Sequence, residues 1–383
     1  MNRNLIINWA RVRFFFAIAI LFLFAGILMG QEDFIIGKSP APFYPSGDVG
    51  GVGDIPANSP WLQLPALDYV LPPYGKFLKG RKICLDPGHG GDAYLKNYKR
   101  GPTGLREAEV NLKIALMLKD WLLQCGATVF MTRDGDYDLS KNQSEALALR
   151  AKVANENQCD FFISLHHNAV ARPDANFPAA FYHADPNYIY SAMDLGRYIG
   201  QSLVDIQRHR EPQHNGLYSD FLIYPGDGFG VLRHLSVPGI LIEASFHSTI
   251  DEEARLKDNE YLKREAYAYL LGIAHYAANG FPTYEIVYPD SGVMKPTETL
   301  KIKLVDDVKV NWGSKGAPRI FADTIHLIIN DYDVPFQYDK ESGILSYTPP
   351  SPFQPGGYKI LVKFMNVNKN SALPKFTTII VKP

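Results

Sequence analysis

Between Lys82 and Ala278 the apolar positions switch repeatedly between short continuous runs and longer stretches that repeat every three to four residues. Ile83-Cys84-Leu85 has the length of a short buried strand, and a Gly-rich loop follows it to about Arg106. From about Ala108 to Gln124 the spacing predicts a helix, with Gly126 in the place where a helix end favours glycine. Thr128 to Thr132 and Phe161 to Leu165 predict two further strands, separated by a helix from about Ser144 to Glu156. Ala180 to Tyr182 and Ile240 to Ile242 predict two more. Ile189, Met193, Ile199, Leu203 and Ile206 fall on one helical face, and Glu260 to Ala278 predicts a closing amphipathic helix. Strands alternating with helices predict an α/β fold, a twisted, mostly parallel sheet flanked by helices.

The texture changes after Phe281-Pro282. Short β-rich runs appear at Leu300 to Leu304, Thr324 to Ile329 and Tyr358 to Val362. Turn signals lie between them at Asn330-Asp331, Glu341-Ser342-Gly343 and Pro355-Gly356-Gly357. That spacing, without helical periodicity, predicts a β-sandwich over 282–383. At the other end Arg3, Arg11 and Arg13 precede an unbroken apolar run from Phe14 to Met29. A basic stretch before such a run is an export signal, so residues 1–31 predict a signal peptide or, uncleaved, a signal anchor that would tether the chain to a membrane. Residues 32–80, with Ser39-Pro40-Ala41-Pro42 and the Gly-rich stretch from Gly47 to Gly53, predict a Pro/Gly-rich linker. Trp61, Leu62 and Leu64 are apolar enough to fold back onto the domain at 81–281.

Composition alters this picture little. The 383 residues exceed one compact core, and 46% hydrophobic with 21% charged residues is ordinary for folded domains. A formal net charge of -1 gives no basic surface for a nucleic-acid partner. Cys84, Cys125 and Cys159 cannot all pair, lie in or beside apolar stretches and match no metal motif, which predicts free buried thiols.

The candidate chemistry gathers at strand ends. Asp86-Pro87-Gly88-His89-Gly90-Gly91 puts His89 at the C-terminal end of the first strand, the edge at which open α/β sheets bind ligands. His166 and Glu243 each follow a predicted strand, and Glu107 starts the first helix, so all four can converge on one rim. Two imidazoles and a carboxylate suit a four-coordinate catalytic zinc with one position left for water. A second carboxylate beside the metal can take a proton from that water and deliver it to a leaving amine, and Glu243 is the candidate. Taken singly each has a plainer reading: a loop histidine, a half-buried histidine, a carboxylate complementing a helix dipole, a solvated loop residue.

Taken together, these segments resemble a family. From Lys82 to about Phe281 the chain resembles the zinc-dependent N-acetylmuramoyl-L-alanine amidases of the amidase-3 family. The resemblance is carried by Leu85-Asp86-Pro87-Gly88-His89-Gly90-Gly91, Glu107-Ala108-Glu109-Val110-Asn111-Leu112 and Thr132-Arg133-Asp134. It continues through Arg150, Ala154-Asn155, Ser164-Leu165-His166-His167-Asn168-Ala169 and Leu241-Ile242-Glu243-Ala244-Ser245-Phe246. It implies zinc ligands at His89, Glu107 and His166, a catalytic Glu243, a peptidoglycan substrate, and work in wall remodelling or daughter-cell separation. It further implies an exported protein of the periplasm or cell envelope, and names no activator. Four positions depart from the family pattern: His167 replaces a usual small residue, Ala244 and Ser245 stand before Phe246 for the common Thr-Gly, and His247 follows where an aliphatic residue is common. His167 follows His166 and so points to the opposite side of the strand, while Glu109 is expected in solvent. With one amphipathic helix between Asn168 and Gly239, no second long helix is left to block the site in the manner of some family members. The C-terminal module resembles a bacterial immunoglobulin-like domain. Two other readings remain: a zinc peptidase acting on another wall peptide bond, and an inactive wall-binding protein.

Overall fold

The computed structural model describes residues 64–95, 98–172, 174–184, 189–309 and 319–383. The predicted signal or anchor and most of the predicted linker lie outside the described residues. Among the described residues no helix is long and apolar enough to cross a membrane.

A six-stranded sheet forms the first domain, built from β1 (Lys82–Pro87), β2 (Thr128–Met131), β3 (Phe161–Asn168), β4 (Ala179–Tyr182), β5 (Gly216–Ser219) and β6 (Gly239–Phe246). Its order is β2-β1-β3-β6-β4-β5. The β2-β1, β1-β3 and β3-β6 pairs are parallel, β4 runs antiparallel to β6, and β5 is parallel to β4. Helices α1 (Glu107–Gln124), α2 (Gln143–Glu156), α3 (Ile189–Gln207), α4 (Gly230–Arg233), α5 (Ile250–Leu256) and α6 (Asn259–Ala278) complete it.

The central strands are apolar on both faces because helices cover both. Ile83, Leu85, Ile163, Leu165, Ile240 and Ile242 join the core with Ile114, Leu118, Ile199, Leu203 and Ile273 of α1, α3 and α6. The alternate residues Cys84, Phe162 and Leu241 join a smaller core with Ala154 of α2 and Leu232 of α4. Helix ends are set locally. The Asn142 side chain accepts from Glu145 N at the start of α2, and Asp258 caps α6 through Glu260 N. Gly126 takes φ 84° just past α1, a left-handed conformation glycine adopts without penalty. All three cysteines are free and buried.

The chain reaches β1 along the outside of this domain. Leu64, Leu67, Tyr69, Tyr74 and Phe77 pack against the main core. Arg264 donates to Pro65 O at 2.9 Å and the Tyr267 hydroxyl to Val70 O at 2.8 Å, pinning the segment to α6.

Residues after Phe281 form two further sheets. One has β7 (Thr283–Tyr288), β9 (Leu300–Val305), β12 (Gln337–Asp339) and β13 (Ile344–Tyr347) in the order β12-β13-β9-β7. The other has β8 (Val293–Met294), β10 (His326–Ile329), β11 (Tyr332–Val334), β14 (Gly356–Lys363) and β15 (Thr377–Val381) in the order β11-β10-β14-β15-β8. Alternate residues of both sheets, such as Leu300, Ile302, Leu327, Leu345, Ile360 and Ile379, share one apolar core. This domain sits at the edge where the parallel strands begin. Phe281 packs on Phe161, the first residue of β3, and Arg81 lies over the Phe281 ring. Asn370 Nδ2 donates to Tyr276 O and Gly280 O, and Ser371 N donates to Asp194.

Candidate metal centre

The opposite edge of the sheet, where β1, β3 and β6 end, holds His89, Glu107 and His166. One ligand atom from each lies within 4.8 Å of the others. Glu107 Oε2 is 3.1 Å from His89 Nε2, and Glu107 Oε1 is 3.1 Å from His166 Nδ1. His166 and Glu243 are register partners across β3 and β6, and residues paired laterally in a sheet project from the same face. Glu243 is thereby brought beside the cluster, fully buried. Both residues lie inside strands, whereas the sequence places them just after strands. Hydrophobic runs end at Leu165 and Ile242, but the backbone ladders continue to Asn168 and Phe246.

The loop that carries His89 is held by buried charge. Arg133 donates to Pro87 O, Gly88 O and Ala108 O at 2.7–2.9 Å. Arg150 donates to Pro87 O at 2.9 Å and to His89 O at 2.7 Å. Asp86 anchors Arg150 at 2.7 Å and accepts from Thr132 Oγ1 and Ser164 Oγ. Burial alone would raise the Asp86 pKa, but the Arg150 charge and the two hydroxyl bonds outweigh it and hold the group below its usual range. These bonds keep His89 at φ 59°, left-handed backbone that costs a non-glycine residue about 1–3 kcal/mol. Gly88 admits the neighbouring imidazole: a Cβ there would come within 2.2–2.6 Å of the His166 ring.

The electrostatics fit a cation. Burial lowers the His89 pKa to about 4, so the ring is neutral at pH 7 with a lone pair to give. Its Nε2 is buried and without a hydrogen bond, despite the nearby Glu107 oxygen. Burial would raise the Glu107 pKa, yet the two imidazoles outweigh it and keep the carboxylate ionised. Burial, then the Glu107 charge, push the Glu243 pKa well above the usual carboxyl range, and Glu243 Oε2 is another buried atom without a partner. Two imidazoles and one carboxylate form a donor set that suits zinc, and an orphaned ring nitrogen aimed among them is what a metal would satisfy.

Two neighbours separate cleanly from the cluster. Glu109 is exposed and pairs with Lys113 on the surface of α1. His167 points away from His166 into the layer between α1 and α6, where Nδ1 is 2.8 Å from Asn111 Oδ1 and Nε2 is 3.2 Å from Glu265 Oε2. Burial would lower the His167 pKa, but Glu265 outweighs it and raises it. Sequence reasoning assigned no part to Glu265 or Gln207. The signal for Glu265 was spacing, since it sits among Leu262, Ala266 and Tyr269 on the buried side of α6.

Fold and cluster define a class first: an α/β domain with a His–Glu–His group able to hold one metal ion at the C-terminal rim of its sheet. Comparison with known proteins narrows the class. The model of the amidase-3 family, N-acetylmuramoyl-L-alanine amidase, matches residues 83–275, and the chain belongs to that family of hydrolases. Over 218 residues the chain is 28% identical to the germination-specific N-acetylmuramoyl-L-alanine amidase of Bacillus subtilis, covering 53% of this chain and 83% of that protein. It is also 28% identical over 237 residues to the N-acetylmuramoyl-L-alanine amidase AmiC of Escherichia coli, covering 52% of this chain and 53% of that one. Among solved structures, the amidase AmiC2 of Nostoc punctiforme is 28% identical, with a TM-score of 0.43 over 52% of this chain and 98% of its own.

Proposed function

We propose that this protein hydrolyses the amide between N-acetylmuramic acid and L-alanine in peptidoglycan, with one zinc ion held by His89, Glu107 and His166 and with Glu243 as the catalytic acid–base. The observation that carries this reading is the meeting of three ligand atoms within 4.8 Å from residues 77 positions apart in sequence, 89 to 166. Zinc bound there would supply a Lewis acid for water and the amide carbonyl, and would offset the Glu107 charge that helps raise the Glu243 pKa. Glu243 takes the proton of the attacking water and returns it to the departing alanine nitrogen, which cannot leave as an anion at neutral pH. Arg133 and Arg150 fix the backbone beneath His89, so that its ring need not be reordered when substrate arrives.

The rest of the chain fits work on a wall outside the membrane. Residues 1–31 act as signal peptide or anchor, residues 32–80 as linker, 81–281 as the catalytic domain and 282–383 as an immunoglobulin-like spacer. In this arrangement the spacer docks at the edge of the sheet opposite the proposed metal rim. The activity serves wall remodelling or daughter-cell separation.

Mass analysis of sacculus digests tests the reading. Wild-type protein is expected to release free peptide stems, and Glu243→Ala to release them at least about 100-fold more slowly, the low end for loss of a general acid–base. Equal release by both removes Glu243 from the mechanism. Release of cleaved stems still joined to glycan would favour a peptidase.

A further inference from the structure

A chain of fully buried polar side chains leads from α6 to the carboxylate of Glu107. Gln207 Nε2 donates to Glu265 Oε2 at 2.7 Å, and the same oxygen lies 3.2 Å from His167 Nε2. The other ring nitrogen of His167 meets Asn111 Oδ1 at 2.8 Å. Asn111 Nδ2 faces Gly88 O and Glu107 Oε1, each at 3.4 Å. Both of those atoms only accept, so the Asn111 amide nitrogen must face them and its oxygen must face the ring. His167 Nδ1 therefore donates to Asn111, while Nε2 meets the Glu265 carboxyl on the other side of the ring. Its backbone N–H also donates to Glu107 Oε1 at 3.2 Å.

The result is directional. Glu107 Oε1 is gripped by the His167 backbone and reached by Asn111, while Oε2 faces His89. A carboxylate free to turn would present its oxygens in many ways, and this one is held to a single orientation. Glu265 touches no member of the cluster, yet it fixes the ring that fixes the amide. Buried polar side chains are costly compared with apolar packing unless each finds its partner, so a connected run of them ending on Glu107 calls for a role that leucine or alanine could not fill.

We propose that Glu265 is a positioning residue that acts through His167 and Asn111 to hold the Glu107 carboxylate in the orientation a metal ion requires. The inference rests on the metal-site reading above. Outer partners of this kind govern affinity because a ligand already oriented loses less freedom on binding.

Zinc affinity of the full chain, measured by competition with a chromogenic chelator, tests it together with the absorption spectrum of the cobalt(II)-loaded protein. Glu265→Gln is expected to weaken zinc binding roughly 10- to 100-fold and to alter the cobalt bands. Asn111→Leu cuts the chain beside Glu107 and is expected to cause a similar loss. Combining the two should add little, because either one already breaks the path. Wild-type affinity with an unchanged cobalt spectrum in Glu265→Gln, or fully additive losses, overturns the proposal. Should Glu265→Gln fail to fold, Asn111→Leu decides alone, and wild-type affinity there overturns it. If the wild type itself binds no zinc, the metal-site reading fails instead.

Discussion

The two domains spend buried polarity very differently. At the C-terminal rim of the first sheet, Asp86, Glu107, Arg133, Arg150, His167, Glu243 and Glu265 are all buried. In the second domain the core is built from residues such as Leu300, Ile302, Leu327, Leu345 and Ile360, and its buried polar residues are Asn366, Asn370 and Ser371 among the described residues. Those three lie where it meets the first domain: Asn366 and Asn370 bond to backbone around the end of α6, and Ser371 bonds to Asp194. Desolvating a charge costs several kcal/mol unless it is paired, so a fold does not accumulate such groups for stability alone. The rim is shaped for chemistry, the β-domain for packing.

Breaking the rim should have the largest effect. Arg150→Met leaves the Asp86 carboxylate buried without its cation and releases the backbone oxygens of Pro87 and His89. A loss of about 3–5 kcal/mol is expected by urea unfolding. The pH dependence has a definite sign. Asp86 is held below its unfolded pKa, so its contribution is present above about pH 4 and fades as pH falls through the lower folded value. Arg150→Met should therefore flatten the acid limb of stability. A loss below about 1 kcal/mol would mean that the buried charges at the rim are as replaceable as apolar ones.

The same contrast decides what could be read from sequence. Periodicity showed the central strands and the long helices because both faces of β1, β3 and β6 are apolar, and apolar runs are what periodicity detects. It ended β3 and β6 too early, since His166, His167 and Glu243 are polar residues that are nevertheless buried and break the apolar run. The reversal of β4 against β6 was not legible, because a four-residue strand carries no mark of its direction. Nor were β5 and α5, which are four and seven residues long. The cluster itself was legible through spacing and family resemblance. Its support was not: Asp86 and Arg133 occur in the recognised segments, but nothing in a segment says that a guanidinium is buried beneath a loop. In the second domain, where polarity follows exposure, the β-rich runs at Leu300 to Leu304 and Tyr358 to Val362 lie within β9 and β14.

A substitution in the β-domain tests whether the two regions are as separable as their chemistry. Leu327 is fully buried between the two sheets, and Leu327→Ala should cost about 2–5 kcal/mol by loss of transfer energy and cavity formation. Zinc affinity should stay within twofold of wild type, since the docking face is at the edge opposite the metal cluster. A parallel loss of metal binding would show that the β-domain is coupled to the rim.

The smallest effect belongs to Glu109, and it sharpens the contrast within a single turn of helix. Glu107 and Glu109 both lie in the first turn of α1, where either carboxylate complements the helix dipole. Glu107 is buried and faces two imidazoles, whereas Glu109 is half exposed and reaches only Lys113 at 2.8 Å. Water screens that pair, and i,i+4 pairs of this kind contribute roughly 0.3–0.5 kcal/mol. Glu109→Ala should shift stability by about 0.5 kcal/mol in urea unfolding and leave zinc affinity unchanged. A tenfold fall in affinity would place Glu109 in the site and dissolve the distinction. If the expected result holds, burial rather than helix position separates ligand from surface charge, two residues apart on the same turn.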